Sequence, residues 1–284
     1  MAPPTFSRLL ASLGGSPWLE SQVETVAALG RALGASLTIL HVAPPGANAA
    51  AVHARVEAAL ALAGTTAEWV AAVDRSPHRT ILREVERRGI DLLYAGAAAH
   101  EPLVKDLVGS TARRLARSAR CSVLLDAAPV GRGGRFPLAV VAINLDPEGR
   151  QAAQFALALR RSGVVAEVHL VYEALPAPPS ALRGDAQQAQ AVLRARADAE
   201  LRDFVAQLGP DARMARARVV EGRDLAGIAA YARKVEANLV LCRGPRARRF
   251  TFWRWFGSEH EALLTDLPSS LLLLRPEALA RPKR

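Results

Sequence analysis

One stretch of the sequence combines groups that bind phosphate with groups that pack or stack. Residues 243–258 read RGPRARRFTFWRWFGS and include five arginines, five aromatic residues and a terminal Gly257–Ser258 pair. The stretch follows a short apolar run, so we expect it to join the carboxyl end of a strand to a helix. Free N–H groups at a helix start and guanidinium groups both bind oxyanions. The predicted chemistry is phosphate binding at the edge of a sheet.

A weaker copy of this arrangement occurs earlier in the chain. Gly96 precedes the Gly109–Ser110 pair by 13 residues, which is also the distance from Gly244 to Gly257. The copies themselves are 148 residues apart. The second copy has one extra residue between the start of its preceding strand and Gly244, so its loop is expected to be displaced by one position. The repetition predicts a duplicated unit.

Length and composition are those of a soluble globular protein with two domains. The chain has 284 residues, of which 50% are hydrophobic, enough for a core in each half. Its formal charge is +10, but the arginines are spread along the chain, so charge alone indicates only non-specific binding of nucleic acid or anionic surfaces. Cys121 and Cys242 lie beside apolar runs and are expected to be buried free thiols. There is no run long enough to cross a membrane and no basic leader, which predicts a cytoplasmic protein.

Apolar periodicity predicts alternating strands and helices throughout the chain. The strands expected in the first half are Arg8–Leu13, Ser36–Val42, Glu68–Val73, Asp91–Ala95 and Ser122–Leu125. The helices expected there are Leu19–Leu33, Ala49–Leu62, Arg79–Arg88 and Ser110–Ser118. In the second half the strands are Leu138–Ile143, Val168–Tyr172, Arg216–Val220, Leu239–Cys242 and Leu271–Leu274. The helices there are Gln151–Arg161, Asp185–Leu208, Leu225–Arg233 and Glu259–Thr265.

This alternation predicts an α/β fold with two tandem doubly wound parallel-sheet domains and helices on both faces. The expected boundaries are a first domain over residues 1–128, a linker over 129–135, a second domain over 136–276 and a tail over 277–284. The last strand of each half is apolar. Because an exposed apolar edge strand is a liability, we expect these two strands to pair with each other or with another subunit.

The loop spacing resembles the signature of the universal stress protein family, which is Gly-x-x-Gly, nine residues, and then Gly-Ser or Gly-Thr after the fourth strand. The first unit offers Gly96 and, nine residues after Ala99, Gly109–Ser110. The second offers Gly244 and, nine residues after Ala247, Gly257–Ser258. The chain therefore looks like a tandem universal stress protein, with the adenine nucleotide alpha hydrolase-like fold that this implies.

The resemblance implies a nucleotide site in which the loop backbone wraps the phosphates and an acid at the end of the first strand holds the adenosine. The cofactor-binding positions carried over are Asn144, Gly244, Arg246, Ala247, Gly257 and Ser258 in the second unit and Gly96, Gly109 and Ser110 in the first. Alanine replaces the second loop glycine in both units. The strand-end acid corresponds to Gly14 in the first unit and to Asn144 in the second, and only asparagine keeps an acceptor and a donor. We therefore expect ATP or AMP to bind weakly, and mainly in the second domain.

These features together predict a stress-associated regulatory protein. No motif of a catalytic constellation or a metal site is found, so a binding protein is expected rather than an enzyme, with slow ATP hydrolysis left open. The alternative is an interaction or dimerisation module that binds no nucleotide and uses the aromatic segment 250–256. Self-association is expected through the last strands or this segment. Neither a membrane nor a specific nucleic-acid partner is expected.

Overall fold

The fold alternates strands and helices, as the periodicity predicts. The structure is a computed structural model that describes residues 6–96, 110–126, 134–176, 186–244 and 269–275. Its strands are β1 (Arg8–Ser12), β2 (Ser36–Ala43), β3 (Glu68–Val73), β4 (Leu92–Gly96), β5 (Ser122–Asp126), β6 (Phe136–Ile143), β7 (Val165–Ala174), β8 (Arg216–Glu221), β9 (Leu239–Arg243) and β10 (Ser270–Leu274). Its helices are α1 (Leu19–Leu33), α2 (Ala49–Leu62), α3 (Pro77–Arg88), α4 (Ser110–Ser118), α5 (Pro147–Arg161), α6 (Ala186–Ala206) and α7 (Ala226–Lys234).

All ten of these strands form one sheet, in the order β3-β2-β1-β4-β5-β10-β9-β6-β7-β8. Every neighbouring pair within a half is parallel, as in β1 with β4 and β6 with β9. Since parallel neighbours require crossovers, β1 to β4 and β6 to β8 are each followed by a helix before the next strand. The expected α/β class with tandem parallel halves is confirmed, and the two half-sheets are continuous.

The halves join through the strands that were expected to pair. β5 and β10 run antiparallel, with Leu272 opposite Leu124. A buried polar cluster lies beside this joint: Asp126 accepts hydrogen bonds from the Tyr94 hydroxyl and, at 2.7 Å, from the Ser270 hydroxyl. Burial raises the pKa of the Tyr94 phenol well above its usual value, and the Asp126 carboxylate raises it further. Both strands are hydrogen-bonded on both sides within the chain, so this pairing uses the edges expected for self-association.

The sheet separates two apolar layers. One packs the sheet against α1, α2, α5 and α6 through side chains such as Leu29 and Phe155. The other packs it against α3, α4 and α7 through side chains such as Val85 and Ile228. Cys121 and Cys242 are buried free thiols, as expected, and burial raises the pKa of each to about 12.

Helix boundaries agree with the sequence best where the apolar period is longest. α1 and α2 have the expected limits, and α1 ends at Gly34, whose φ of 61° suits a residue without a side chain. α5 begins four residues before the expected Gln151, because Asp146 caps it and Pro147 takes its first position. A short 3₁₀ helix, Pro210–Met214, was not expected. The helix expected at 259–265 lies outside the described residues.

No helix in the described ranges has both the length and the apolar character needed to cross a membrane.

Candidate functional site

In the second half, two of the predicted site residues end neighbouring strands at the same level. Val141 of β6 pairs with Leu241 of β9 in the last pair of this ladder, and Asn144 and Gly244 each follow three residues later, where the two parallel strands end. Adjacent strands are about 4.8 Å apart. Asn144 is exposed. The structure therefore brings an amide side chain and the start of the predicted phosphate loop together at the carboxyl edge of the sheet.

An ion-pair cluster fixes this edge. Arg243, the last residue of β9, lies 3.7 Å from the Asp146 carboxylate and forms a closer ion pair with Glu148. Asp146 also accepts a hydrogen bond of 2.6 Å from the Gly149 N–H at the start of α5. The guanidinium group is thus partly neutralised by two carboxylates from the first turn of a helix. Sequence analysis missed this cluster, although the Asp146–Pro147 pair is a helix-start signal.

Gly149 lets the start of α5 approach Asn144 closely. A Cβ atom at position 149 would lie 1.9 Å from the Asn144 carbonyl oxygen. No side chain fits at that distance, so the glycine is needed for the helix to pack beneath the strand end. The position of Asn144 therefore depends on a contact that the sequence does not reveal.

Gly244 has a packing role of its own. Its N–H donates a hydrogen bond of 2.6 Å to the Leu274 carbonyl, and a Cβ there would lie 3.2 Å from the Arg275 Cγ. The glycine therefore lets β9 and β10 end in close contact. Because its N–H is used within the sheet, phosphate contacts would have to come from residues further along the loop.

The first half has a different edge. β4 ends at Gly96, where a Cβ would lie 2.7 Å from the amide nitrogen of Gln22, a buried side chain of α1. Gly14, after β1, has no atom within 4 Å of a hypothetical Cβ. β4 and β9 are each five residues long, so Arg243 occupies the strand-end position that Gly96 holds in the first half. Gly244 therefore comes one residue after its strand, whereas Gly96 is the last residue of β4.

A groove of about 450 Å³ lies on one side of the second half, and its lining begins at Leu145, the residue after Asn144. It lies between the start of α5 and the last two turns of α6, and it is lined by Leu145, Asp146, Pro147, Arg150, Glu200, Asp203, Phe204 and Gln207. Arg150 is held by two hydrogen bonds to Gln207, of 2.6 and 2.9 Å, and lies 5.7 Å from the centre of the Phe204 ring. Apolar and carboxylate groups thus share one concave surface.

Most of the predicted phosphate loop lies outside the described residues. This applies to Arg246, Ala247, Gly257, Ser258, Gly109 and the aromatic segment 250–256. Ser110 begins α4, but its side chain is not described. Within the described ranges, no group of three or more histidine, cysteine or acidic residues is arranged to hold a metal ion.

The two strand histidines take part in the fold. The His41 Nδ1 lies 2.8 Å from the Leu13 carbonyl, which can only accept, so this nitrogen carries the proton. His169 lies between the Tyr231 hydroxyl at 3.0 Å and the Glu167 carboxylate at 2.9 Å. Its hydrogen bond lowers the pKa of Glu167, and Arg216 lowers it further. His41 lies level with Leu13, next to Gly14 at the strand ends of the first half, whereas His169 lies within β7, opposite Val140.

Comparison with known structures agrees with this architecture. A protein of unknown function from Pseudomonas aeruginosa PAO1 superposes with a TM-score of 0.75 at 19% identity, covering 96% of this chain and 94% of that one. A universal stress protein from Archaeoglobus fulgidus gives 0.64 at 14% identity, with coverages of 94% and 98%. A universal stress protein solved in complex with cAMP gives 0.38 at 22% identity, with coverages of 43% and 96%. No curated protein matches the sequence significantly.

The sequence itself matches the family pattern twice. The universal stress protein family aligns with residues 5–126 and again with residues 138–275. The two matches correspond to the two halves of the sheet and account for most of the chain. The chain belongs to the universal stress protein family and carries two tandem copies of its domain.

Proposed function

We propose that the protein is a stress-associated regulatory protein that binds an adenine nucleotide weakly, and mainly at the second-half edge. The observation that carries this proposal is that Asn144 and Gly244 directly follow β6 and β9, two neighbouring parallel strands, at their carboxyl ends. Ligands of open α/β sheets bind at such carboxyl ends. The first half offers Gly14 at the position that matches Asn144, and glycine has no side chain that can hydrogen-bond a ribose or a base.

The groove beside Asn144 suits the nucleoside part of the ligand. Its volume of about 450 Å³ lies within the range usual for small-molecule sites. Leu145 and Phe204 supply apolar contact for a base. Asp146 and Asp203 supply acceptors for ribose hydroxyls or the adenine amino group. The same carboxylates repel phosphate, so we place the phosphates away from the groove, towards the loop that follows Gly244.

The electrostatics of the edge account for weak binding. Arg243 ends β9, and its charge is already compensated by Asp146 and Glu148. A phosphate would have to compete with these carboxylates for the guanidinium group. The phosphate contacts expected of Arg246, Gly257 and Ser258 therefore carry the remaining affinity in this proposal.

Calorimetric titration with ATP and with AMP tests the proposal. Asn144→Leu removes the strand-end amide at nearly constant side-chain size, and we expect it to weaken binding by about tenfold or more, since a lost hydrogen bond in a site costs about 1–2 kcal/mol. Gly257→Asp places a like charge at the predicted phosphate turn and is expected to abolish binding.

The matched control is Gly14→Leu, which changes the same strand end in the first half. No atom lies within 4 Å of a Cβ at Gly14, so the control should fold normally and keep wild-type affinity. Absence of heat with the wild-type protein would remove the nucleotide proposal. Equal losses in the Asn144 and Gly14 variants would contradict its assignment to the second half.

A further inference from the structure

The arginines of the first half are concentrated on one surface. Residues 74–90 and 110–120, which form α3, α4 and their ends, contain nine arginines and three acidic residues. We call the exposed part of this surface the arginine face, and it consists of Arg75, Arg79, Arg83, Arg87, Arg114, Arg117 and Arg120. The sequence contains the signal for it, since the arginines of α3 recur every four residues.

The spacing aligns these charges into a row. Arg79, Arg83 and Arg87 are four residues apart on α3, so they share one side of the helix at intervals of about 6 Å. Arg75 continues the series just before the helix. α4 packs beside α3, where Arg114 lies 3.4 Å from the His78 ring and Arg120 lies 3.5 Å from Glu86. Two neighbouring helices thus present one cationic surface.

Part of this charge is not compensated by carboxylates. Arg87 is paired with Glu84, and Arg120 with Glu86. Within the described ranges, Arg79, Arg83 and Arg114 form no direct ion pair with a carboxylate, and Arg83 contacts the Thr80 hydroxyl at 3.3 Å. One carboxylate, Asp74, lies close enough for Arg83 and Arg79 to contribute to its lowered pKa, which is caused mainly by its hydrogen bond from Thr80. Burial lowers the pKa of His78, and the nearby Arg114 and Arg79 lower it further. The local potential is therefore positive, and the row is oriented towards solvent.

No such row of arginines occurs on α7, the described counterpart of α3 in the second half. α7 carries Arg233 and Lys234 only at its carboxyl end, with Asp224 and Glu236 on either side of the helix. The sequence of residues 258–266, SEHEALLTD, contains three acidic residues and no arginine or lysine. The arginine face is thus a property of one copy, and the family fold does not require it.

We propose that the arginine face binds the phosphate backbone of double-stranded nucleic acid without sequence selectivity. A linear polyanion whose strands carry one phosphate per about 3.4 Å of axis offers several phosphates along a row of guanidinium groups at about 6 Å intervals. Guanidinium groups bind phosphate oxygens in bidentate fashion.

Two other ligands fit this surface less well. In the described part of the chain, the exposed large apolar side chains are Trp18, Leu62, Val73, Leu175, Val192, Leu193 and Met214, none of which belongs to α3 or α4. A membrane-surface helix needs such side chains on its lipid-facing side. Single strands bind through aromatic platforms, and the described side chains of α3 and α4 include no Phe, Tyr or Trp. Rows of charge without apolar or aromatic anchors favour a duplex.

Fluorescence anisotropy with a short labelled duplex of arbitrary sequence tests the proposal at salt concentrations from about 50 to 200 mM. Each arginine–phosphate contact contributes about 0.9 to the slope of log affinity against log salt. Arg79→Gln/Arg83→Gln is therefore expected to reduce the slope by about 2 and to weaken binding about tenfold. Both side chains are exposed, so we expect the circular dichroism of the variant to match that of the wild type.

The matched control is Arg202→Gln/Arg213→Gln, which removes the same charge from exposed positions of the second half. Its duplex affinity should change less than about twofold if the arginine face is the site. Equal losses in both variants would show attraction by net charge alone and would overturn the proposal. Tighter binding of a single strand, or binding of anionic vesicles without duplex binding, would overturn it as well.

Discussion

The two halves of the molecule have the same backbone plan and opposite surface chemistry. In the first half the strand ends carry Gly14 and Gly96, and the outer helices α3 and α4 are rich in arginine. In the second half the strand ends carry Asn144 and Arg243, and the groove beside them is lined by three carboxylates and one arginine. The halves nevertheless share one continuous sheet.

The difference between the halves shows which positions of the fold must be similar in both copies and which can differ. Core positions of a sheet must fill space in both copies, so both keep apolar runs such as those of β5 and β10. Strand ends and outer helix faces are free of that requirement. There the copies diverged, one towards cationic helices and the other towards an amide-bearing edge with a groove.

The largest expected effect tests whether the halves are one unit. Leu272 is 1% exposed and pairs with Leu124 of the first half and Leu241 of the second. Leu272→Ala leaves a cavity at the joint, and we expect it to lower the free energy of unfolding by about 2–5 kcal/mol. Denaturant unfolding and amide hydrogen exchange should show both halves destabilised together.

The control for this variant is Leu62→Ala, at a side chain that is 92% exposed. It should change stability by less than about 0.5 kcal/mol. Two separate unfolding transitions, with only the second half destabilised by Leu272→Ala, would contradict the claim that the two halves are one unit.

A smaller effect sharpens the contrast between the two edges. Gly149→Ala places a Cβ 1.9 Å from the Asn144 carbonyl oxygen, so the strand end must shift. We expect a loss of about 1–3 kcal/mol in stability, typical of overpacking, together with weaker ATP binding. Gly15→Ala in the first half meets only Val52 Cγ2 at 3.6 Å and should affect neither property. If Gly149→Ala leaves the ATP affinity unchanged, Asn144 is not part of the binding site.

Much of the fold could be predicted from the sequence. The limits of α1, α2, α4 and β3 agree with expectation residue for residue. α1 has a clear apolar period, α2 is rich in alanine, and glycines follow α1 and α3 at their ends. The pairing of β5 with β10 could be predicted because an apolar edge strand needs a partner. Sequence patterns within single elements, together with the need of an apolar edge strand for a partner, were therefore sufficient to predict the architecture.

The candidate site was less predictable, because its geometry depends on contacts between distant residues. Spacing alone suggested that Gly244 serves phosphate, whereas its N–H is bonded to Leu274 and its missing side chain makes room for Arg275. The pairing of Arg243 with Glu148 joins residues far apart in sequence. No periodicity encodes such a contact. The arginine row on α3 is visible in the sequence as a spacing of four residues. The net charge of the whole chain does not reveal it.

The smallest expected effect on stability compares one ion pair in each half. Arg243→Gln removes the pair with Glu148, and Arg55→Gln removes the pair with Glu20. Both arginines are about two-fifths exposed, so each variant should lose less than about 1 kcal/mol. Their ATP affinities should differ, because only Arg243→Gln leaves two uncompensated carboxylates beside Asn144. Equal ATP affinities in calorimetry would contradict this assignment.

The stoichiometry of ATP binding, measured by equilibrium dialysis of the wild-type chain, tests the central comparison most directly. If the second half alone keeps a working edge, one ATP binds per chain, and Asn144→Leu reduces this occupancy while Gly14→Leu does not. Two equivalents per chain, or occupancy lost with Gly14→Leu and kept with Asn144→Leu, would contradict the account.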